Sequence, residues 1–153
     1  MAETTISMSL VCLAANQEYP RIQVFVDQAC NRAGCSPGQR TRVQLVVEEL
    51  FSNTVKYGQQ EAVPASVTIS VDFAGEHGMT VHYEDDAPQH DAFDQAETEE
   101  QLKLTITSRR VGGLGIVLVR ELGEDVSYWW SGGKNHVTFS VAADTLRPRR
   151  PQT

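Results

Sequence analysis

Apolar and polar positions change period several times along this chain, and each change predicts an element. Residues 4–13 alternate, with Ile6, Met8 and Leu10 separated by polar neighbours, which predicts a strand. The period then lengthens. Ile22, Phe25, Val26 and Ala29 fall on one face of a helix, with Asn16 as its expected cap, Pro20 in its first turn and Gly34 as its stop. Ser36-Pro37-Gly38-Gln39 has the S-x-x-Q form of a capping box, with proline at the first helical position. A second helix is therefore expected from Pro37 to Tyr57-Gly58. Val43, Val46, Val47, Leu50 and Phe51 form its inward face.

Beyond a polar stretch, residues 66–73 alternate strictly and carry β-branched side chains, the pattern of a strand. Gly75-Glu76-His77-Gly78 turns the chain into a second strand over 79–83, closing a hairpin. Residues 84–100 are acidic with little apolar periodicity, and 101–111 follow without a clear element. A run of this length without an element predicts a mobile lid over about 86–111. Gly112-Gly113-Leu114-Gly115 opens a short apolar helix over 116–122. Two last strands, 125–130 and 136–142, are joined by residues 131–135. Trp129 and Trp130 fall on opposite faces of a regular strand, so one of them is expected in the core. Helices segregate from hairpins in this order, which predicts an α+β two-layer sandwich.

Composition narrows the class. A chain of 153 residues with 41% hydrophobic content suits one domain with a real core, expected over 1–145. No apolar run approaches the ~18 residues of a membrane span, and the first residues lack the basic and apolar segments of a signal peptide. Cys12, Cys30 and Cys35 are an odd number without a C-x-x-C pair, pointing to reduced thiols in a cytoplasm. A net charge of −7 argues against nucleic-acid binding, whose affinity comes from neutralising phosphates. The basic cluster in the tail over 146–153 reads as a disordered end.

Three stretches could carry chemistry. Glu49 and Asn53 lie one turn apart at the edge of the apolar face, placing a proton acceptor beside a neutral oxygen ligand for a hard cation. Glu48 points about 100° away. Taken alone, such a pair is usually a solvated helix edge. Glu84-Asp85-Asp86-Ala87-Pro88 ends a hairpin strand, where a carboxylate could accept a hydrogen bond from an exocyclic amine; alone, it is more often an acidic turn. Gly112-Gly113-Leu114-Gly115 would offer free N–H groups to phosphate oxygens, with Arg109 and Arg110 just upstream. His77, His82, His90 and His136 show no ligand spacing such as H-x-x-x-H, so no zinc site is expected.

In order and spacing these stretches resemble the Bergerat-fold (GHKL) nucleotide-binding superfamily, and most closely its anti-sigma-factor serine/threonine kinases. Glu48-Glu49-Leu50-Phe51-Ser52-Asn53 with Tyr57-Gly58, and Gly112 through Val119, carry the resemblance. It implies a mixed, mostly antiparallel sheet with helices on one face, and ATP and Mg²⁺ as cofactors. By resemblance Glu49 is the general base and Asn53 the Mg²⁺ ligand. Asp85 contacts the adenine amine, Gly113, Leu114 and Gly115 line the phosphates, and Arg109 or Arg110 meets a terminal phosphate. The implied partners are a sigma factor and a STAS-domain anti-anti-sigma protein that receives the γ-phosphoryl group, and homodimerisation is implied as well. Here D-x-G-x-G is Asp85-Asp86-Ala87-Pro88-Gln89, with neither glycine. Asn135-His136 stands where many relatives place Gly-Thr, and no site role is assigned there. The competing function is a binding module, nucleotide-gated or nucleotide-free, that sequesters a partner without phosphoryl transfer.

Overall fold

The computed structural model describes residues 7–58, 63–73, 78–90 and 126–141. Strand β1 (Ser7–Leu13) leads through a 3₁₀ turn (Asn16–Glu18) into helix α1 (Tyr19–Ala33) and then α2 (Pro37–Gly58). The hairpin of β2 (Ser66–Phe73) and β3 (Met79–Asp85) follows, and β4 (Ser127–Ser131) and β5 (Lys134–Val141) form a second hairpin. The five strands make one sheet in the order β1-β2-β3-β5-β4, and every pairing among them is antiparallel. The α+β two-layer arrangement is as expected, and the parallel component is absent from the described strands.

Period-2 alternation decides which side of the sheet meets the helices. Val67, Ile69 and Val71 of β2, Val81 and Tyr83 of β3, and Val137, Phe139 and Val141 of β5 are buried. Ile22, Phe25, Val26 and Ala29 of α1 and all five predicted inward residues of α2 meet them in a single core. The intervening strand positions, Thr68, Ser70, His82, Glu84, His136, Thr138 and Ser140, form a polar outer face.

Helix boundaries follow local chemistry. Gly34 adopts φ 74°, the left-handed region that ends α1, and its N–H reaches back to the Asn31 carbonyl. The capping box at the start of α2 is complete: the Gln39 N–H donates to Ser36 Oγ and the Ser36 N–H to Gln39 Oε1, each at 3.1 Å. Asn16 differs from expectation. It begins the 3₁₀ turn, and α1 starts at Tyr19 without a side-chain cap because that turn already leads the backbone into the helix. Across the helix pair, Arg40 and Gln44 of α2 both bond to Asp27 of α1.

The last hairpin is tighter than the five-residue connection expected. Pairing runs on to Ser131 opposite Lys134, leaving only Gly132 and Gly133 as the turn, at φ 62° and 74°. Two positive φ values in succession are the requirement of a type I′ turn, which matches the twist of its strands. Trp129 and Trp130 do point to opposite faces, but β4 is an edge strand and both rings stay partly exposed, at 39% and 38%. The expectation that one is core is corrected.

Ser36→Ala should lower the stability of the fold by about 1 kcal/mol, within the usual 0.5–2 kcal/mol for a lost helix cap. The urea midpoint should fall with an unchanged slope. An unchanged midpoint would show that the capping box contributes nothing.

Candidate functional site

At the end of β3 the alternation that buries Val81 and Tyr83 also buries Asp85, leaving it 2% exposed. A carboxylate so placed needs donors. Thr54 Oγ1 on α2 donates to Asp85 Oδ2 at 2.7 Å. The Ala87 N–H donates to Oδ1 at 3.1 Å, and Asn135 Nδ2 on β5 to the same oxygen at 2.8 Å. Thr54 has one hydroxyl hydrogen, and the Leu50 carbonyl at 3.0 Å competes for it with the nearer, charged Asp85 oxygen; neither of these acceptors can donate, so in the 2.7 Å contact with Tyr83 the phenol donates. Burial pushes the Tyr83 phenol well above its ordinary pKa, which keeps that hydrogen in place. Three bonds on two oxygens with about four acceptor positions leave one position on Oδ2.

Asn135, given no role from sequence, joins this site. Its Oδ1 accepts from the Tyr128 hydroxyl at 2.7 Å and the His90 N–H at 2.9 Å. Its Nδ2 faces Asp85 Oδ1 and the carbonyls of Ala87 and Pro88, all acceptors, which settles the orientation of the amide. The signal was present in parity. Counting back from Val141, Phe139 and Val137 puts residue 135 on the inward face, where a polar side chain must have partners.

Residues 86–90, expected as the start of a loose lid, are tied down. Asp86 exchanges bonds with Ser66, its Oδ1 accepting from the Ser66 N–H at 2.6 Å and its own N–H donating to the Ser66 carbonyl at 3.2 Å. Ala87 is 1% exposed within the hydrophobic core. His90 donates from Nδ1 to the Pro88 carbonyl at 2.9 Å and stacks on Tyr57 of α2 at 4.4 Å between ring centres. Its Nε2 lies 4.0 Å from Asp85 Oδ2, beyond hydrogen-bonding reach. The remainder of the expected lid, with Arg109 and Arg110, and the glycine-rich helix start with Gly113, Leu114 and Gly115 lie outside the described residues.

Helix α2 brings Asn53 beside Thr54, the residue that reaches Asp85. Asn53 is buried, and its Nδ2 has no hydrogen-bond partner among the described residues. An unsatisfied buried amide costs about 1–3 kcal/mol. A ligand that offers an acceptor to one edge of the carboxamide and a cation to the other would relieve that cost. Glu49 is half-buried one turn earlier, whereas Glu48 is exposed. The Glu48 carboxylate takes a hydrogen bond from Tyr19 on α1; burial first, then the charge of Glu48 and this bond, push the phenol up to about 12. The two adjacent glutamates thus have separate surroundings, as helix geometry requires.

Residues 13–141 match the family model described as the histidine kinase-like ATPase domain. Among solved structures, the chain is similar to the histidine kinase domain of the blue-light activated histidine kinase EL346 from Erythrobacter litoralis. The TM-score is 0.50 and the identity 14%, over 92% of this chain and 69% of that one, a likeness of fold. No curated protein matches the chain. Among the described residues no helix is long and apolar enough to cross a membrane.

Asn135→Asp should destabilise the fold by more than about 2 kcal/mol at neutral pH, because a second carboxylate would replace the donor to Asp85 and leave the Ala87 carbonyl without its donor, the Pro88 carbonyl keeping His90. The penalty should shrink towards pH 4, where one carboxyl of the pair can hold a proton. Urea unfolding at both pH values tests this. A penalty independent of pH would mean that the two side chains do not face each other.

Proposed function

Given that this chain belongs to the histidine kinase-like ATPase domain family, within the GHKL superfamily, we propose that it is an Mg²⁺- and ATP-dependent serine/threonine kinase that also acts as an anti-sigma factor. Its substrate would be a serine or threonine of a STAS-domain anti-anti-sigma protein. The observation that carries the nucleotide reading is the buried Asp85 carboxylate. It is held by Thr54, Ala87 and Asn135, keeps one acceptor position, and is bonded to the helix that bears Asn53, whose Nδ2 has no partner among the described residues. The serine-kinase and anti-sigma part draws on the motif resemblance of Glu49 to Asn53 and Gly112 to Val119.

Each residue has a distinct task in this reading. Asp85 Oδ2 accepts a hydrogen from the exocyclic amine of adenine, which a guanine carbonyl cannot supply. The Asn53 carboxamide meets the cation through oxygen and a phosphate oxygen through its N–H. Glu49 takes the proton of the incoming hydroxyl as the new phosphorus–oxygen bond forms and the bond to the β-phosphate breaks, releasing ADP. Arg109 or Arg110 and the backbone of Gly113, Leu114 and Gly115 offset charge on the phosphates. Mg-ATP itself supplies the phosphoryl group and the metal charge.

A binding module without transfer is the second reading, favoured by His90, whose ring already packs against Tyr57 beside the carboxylate that would read the base. Asp85→Asn discriminates poorly, since it would turn an amide towards converging donors and disturb the fold. Glu49→Ala is the cleaner test. In protein cleared of nucleotide, Mg-ATP should raise the melting temperature, in line with about 2.7 kcal/mol at a hundredfold excess over Kd. Glu49→Ala should keep that shift while phosphoryl transfer to the STAS partner falls by roughly 10²- to 10⁴-fold. Asn53→Ala should weaken Mg-dependent nucleotide binding, and Glu48→Ala should keep both activities. Wild-type protein that binds its partner but transfers no phosphate would favour the binding module, and a melt unmoved by Mg-ATP would end the nucleotide reading altogether.

A further inference from the structure

On the sheet face turned away from the helices, β3 and β5 bring together two imidazoles and a carboxylate. Glu84 sits directly opposite His136 in the register, and His82 lies two residues earlier on the same face of β3. One ligand atom from each lies within 4.8 Å of the others. His82 Nε2 is 3.0 Å from His136 Nδ1, and Glu84 Oε2 is 3.5 Å from that same nitrogen. We propose that His82, Glu84 and His136 form a binding site for a divalent transition-metal ion of the zinc class, separate from the nucleotide site.

The proton arrangement supports this. His136 Nε2 is 3.2 Å from the Ser131 carbonyl, which can only accept, so Nε2 carries the hydrogen. In the neutral ring, Nδ1 then has a lone pair turned towards His82 and Glu84. A ligating histidine that donates its other ring N–H to a backbone carbonyl is the usual outer-shell arrangement of zinc sites, and here it exists before any ion arrives. The 3.0 Å contact between the rings is bridged by a single hydrogen from His82 Nε2, and an ion would replace that hydrogen.

Size and chemistry agree as well. A tetrahedral ion with bonds of about 2.0–2.1 Å holds neighbouring ligand atoms about 3.4 Å apart. The two separations from His136 Nδ1, 3.0 and 3.5 Å, bracket that value, and His82 and Glu84 lie within 4.8 Å of each other, so an ion would draw that pair together. Two histidines and a carboxylate leave a fourth position for water. Imidazole nitrogen selects Zn²⁺, Co²⁺, Ni²⁺ or Cu²⁺ over Mg²⁺, which sets this cluster apart from the oxygen ligand offered by Asn53. All three residues are half-buried. Trp129 of β4 closes one side, its ring parallel to His136 within 1° at 5.0 Å and 5.6 Å from His82. Lys134 Nζ stands 3.9 Å from the other Glu84 oxygen, leaving Oε2 to the histidines. A bound ion would join β3 to β5, the strands that carry Asp85 and Asn135 on the inner face.

The 153-residue chain, stripped with chelator, should take up one Zn²⁺ per chain by calorimetry. Co²⁺ should give weak visible bands without thiolate charge transfer, because the ligands are nitrogen and oxygen. Cu²⁺ should quench tryptophan fluorescence through Trp129, reversibly with chelator. His82→Gln and His136→Gln should each weaken Zn²⁺ binding at least roughly tenfold, with Trp129→Phe abolishing most of the quenching but not the binding. If either variant fails to fold, the Co²⁺ spectrum and reversible quenching of the wild type remain decisive. Thiolate bands, binding unchanged in both folded histidine variants, or no Zn²⁺ uptake would overturn the proposal. The nucleotide reading would be untouched by any of these results.

Discussion

A carboxylate removed almost entirely from water must be supplied with donors from wherever the fold can bring them, and Asp85 imposes that demand where the two layers meet. Its donors come from α2, from the backbone just beyond β3, and from β5. Hydrogen bonds to a charged group contribute about 1.5–3 kcal/mol each, and leaving such a group unpaired costs more than a neutral one. The helix layer and the second hairpin are therefore held against β3 by a polar requirement as well as by the apolar core. Thr54 is central to this: its one hydrogen goes to Asp85, and its oxygen receives the hydrogen of Tyr83. Each member sets the direction of the next, so the carboxylate has a fixed orientation before any ligand is present. Preorganisation of this kind lowers the ordering cost that a binding partner would otherwise have to meet.

The same strands carry two separate polar clusters because side chains alternate. Asp85 and Asn135 face the helices, while their immediate neighbours Glu84 and His136 face outwards and meet His82. The inner cluster is an acceptor surrounded by donors, suited to a partner with one more hydrogen to give. The outer cluster is a set of lone pairs sharing a single proton, suited to a cation. Only the thickness of the backbone separates them.

What was legible in the sequence was local. The capping box at Ser36 and Gln39, the stop at Gly34, the apolar stripe from Val43 to Phe51 and the alternation of β2 all depend on neighbours within a few residues. Glu49, Asn53 and Asp85 could be singled out because their motifs are also local. The partners of Asp85 could not, since Thr54 and Asn135 are separated from it by 31 and 50 residues and meet it only through the register of the sheet. The histidine cluster escaped for a related reason. Spacing such as H-x-x-x-H tests for one helix face, whereas His82 and His136 lie on adjacent strands 54 residues apart. The tryptophans were misjudged because nothing local reveals that β4 is an edge. The lid arginines and the glycine-rich turn lie outside the described residues, and their placement stays an expectation from sequence.

The two-glycine turn between β4 and β5 has an evolutionary consequence. Because Gly132 and Gly133 form the whole connection, the turn sets which residue of β5 stands opposite each residue of β4, with Ser131 facing Lys134 and Trp129 facing His136. A strand displaced by a single residue turns every side chain to the other face. Such a slip of β4 along β5 would take Trp129 from His136 and turn Tyr128 away from the face it shares with Asn135, disturbing both clusters at one stroke. Length variation in this turn is therefore a poor route for gradual change. Lineages that lengthen the hairpin would have to do so by two residues at a time, or accommodate a bulge, to keep both faces of β5 in their present use.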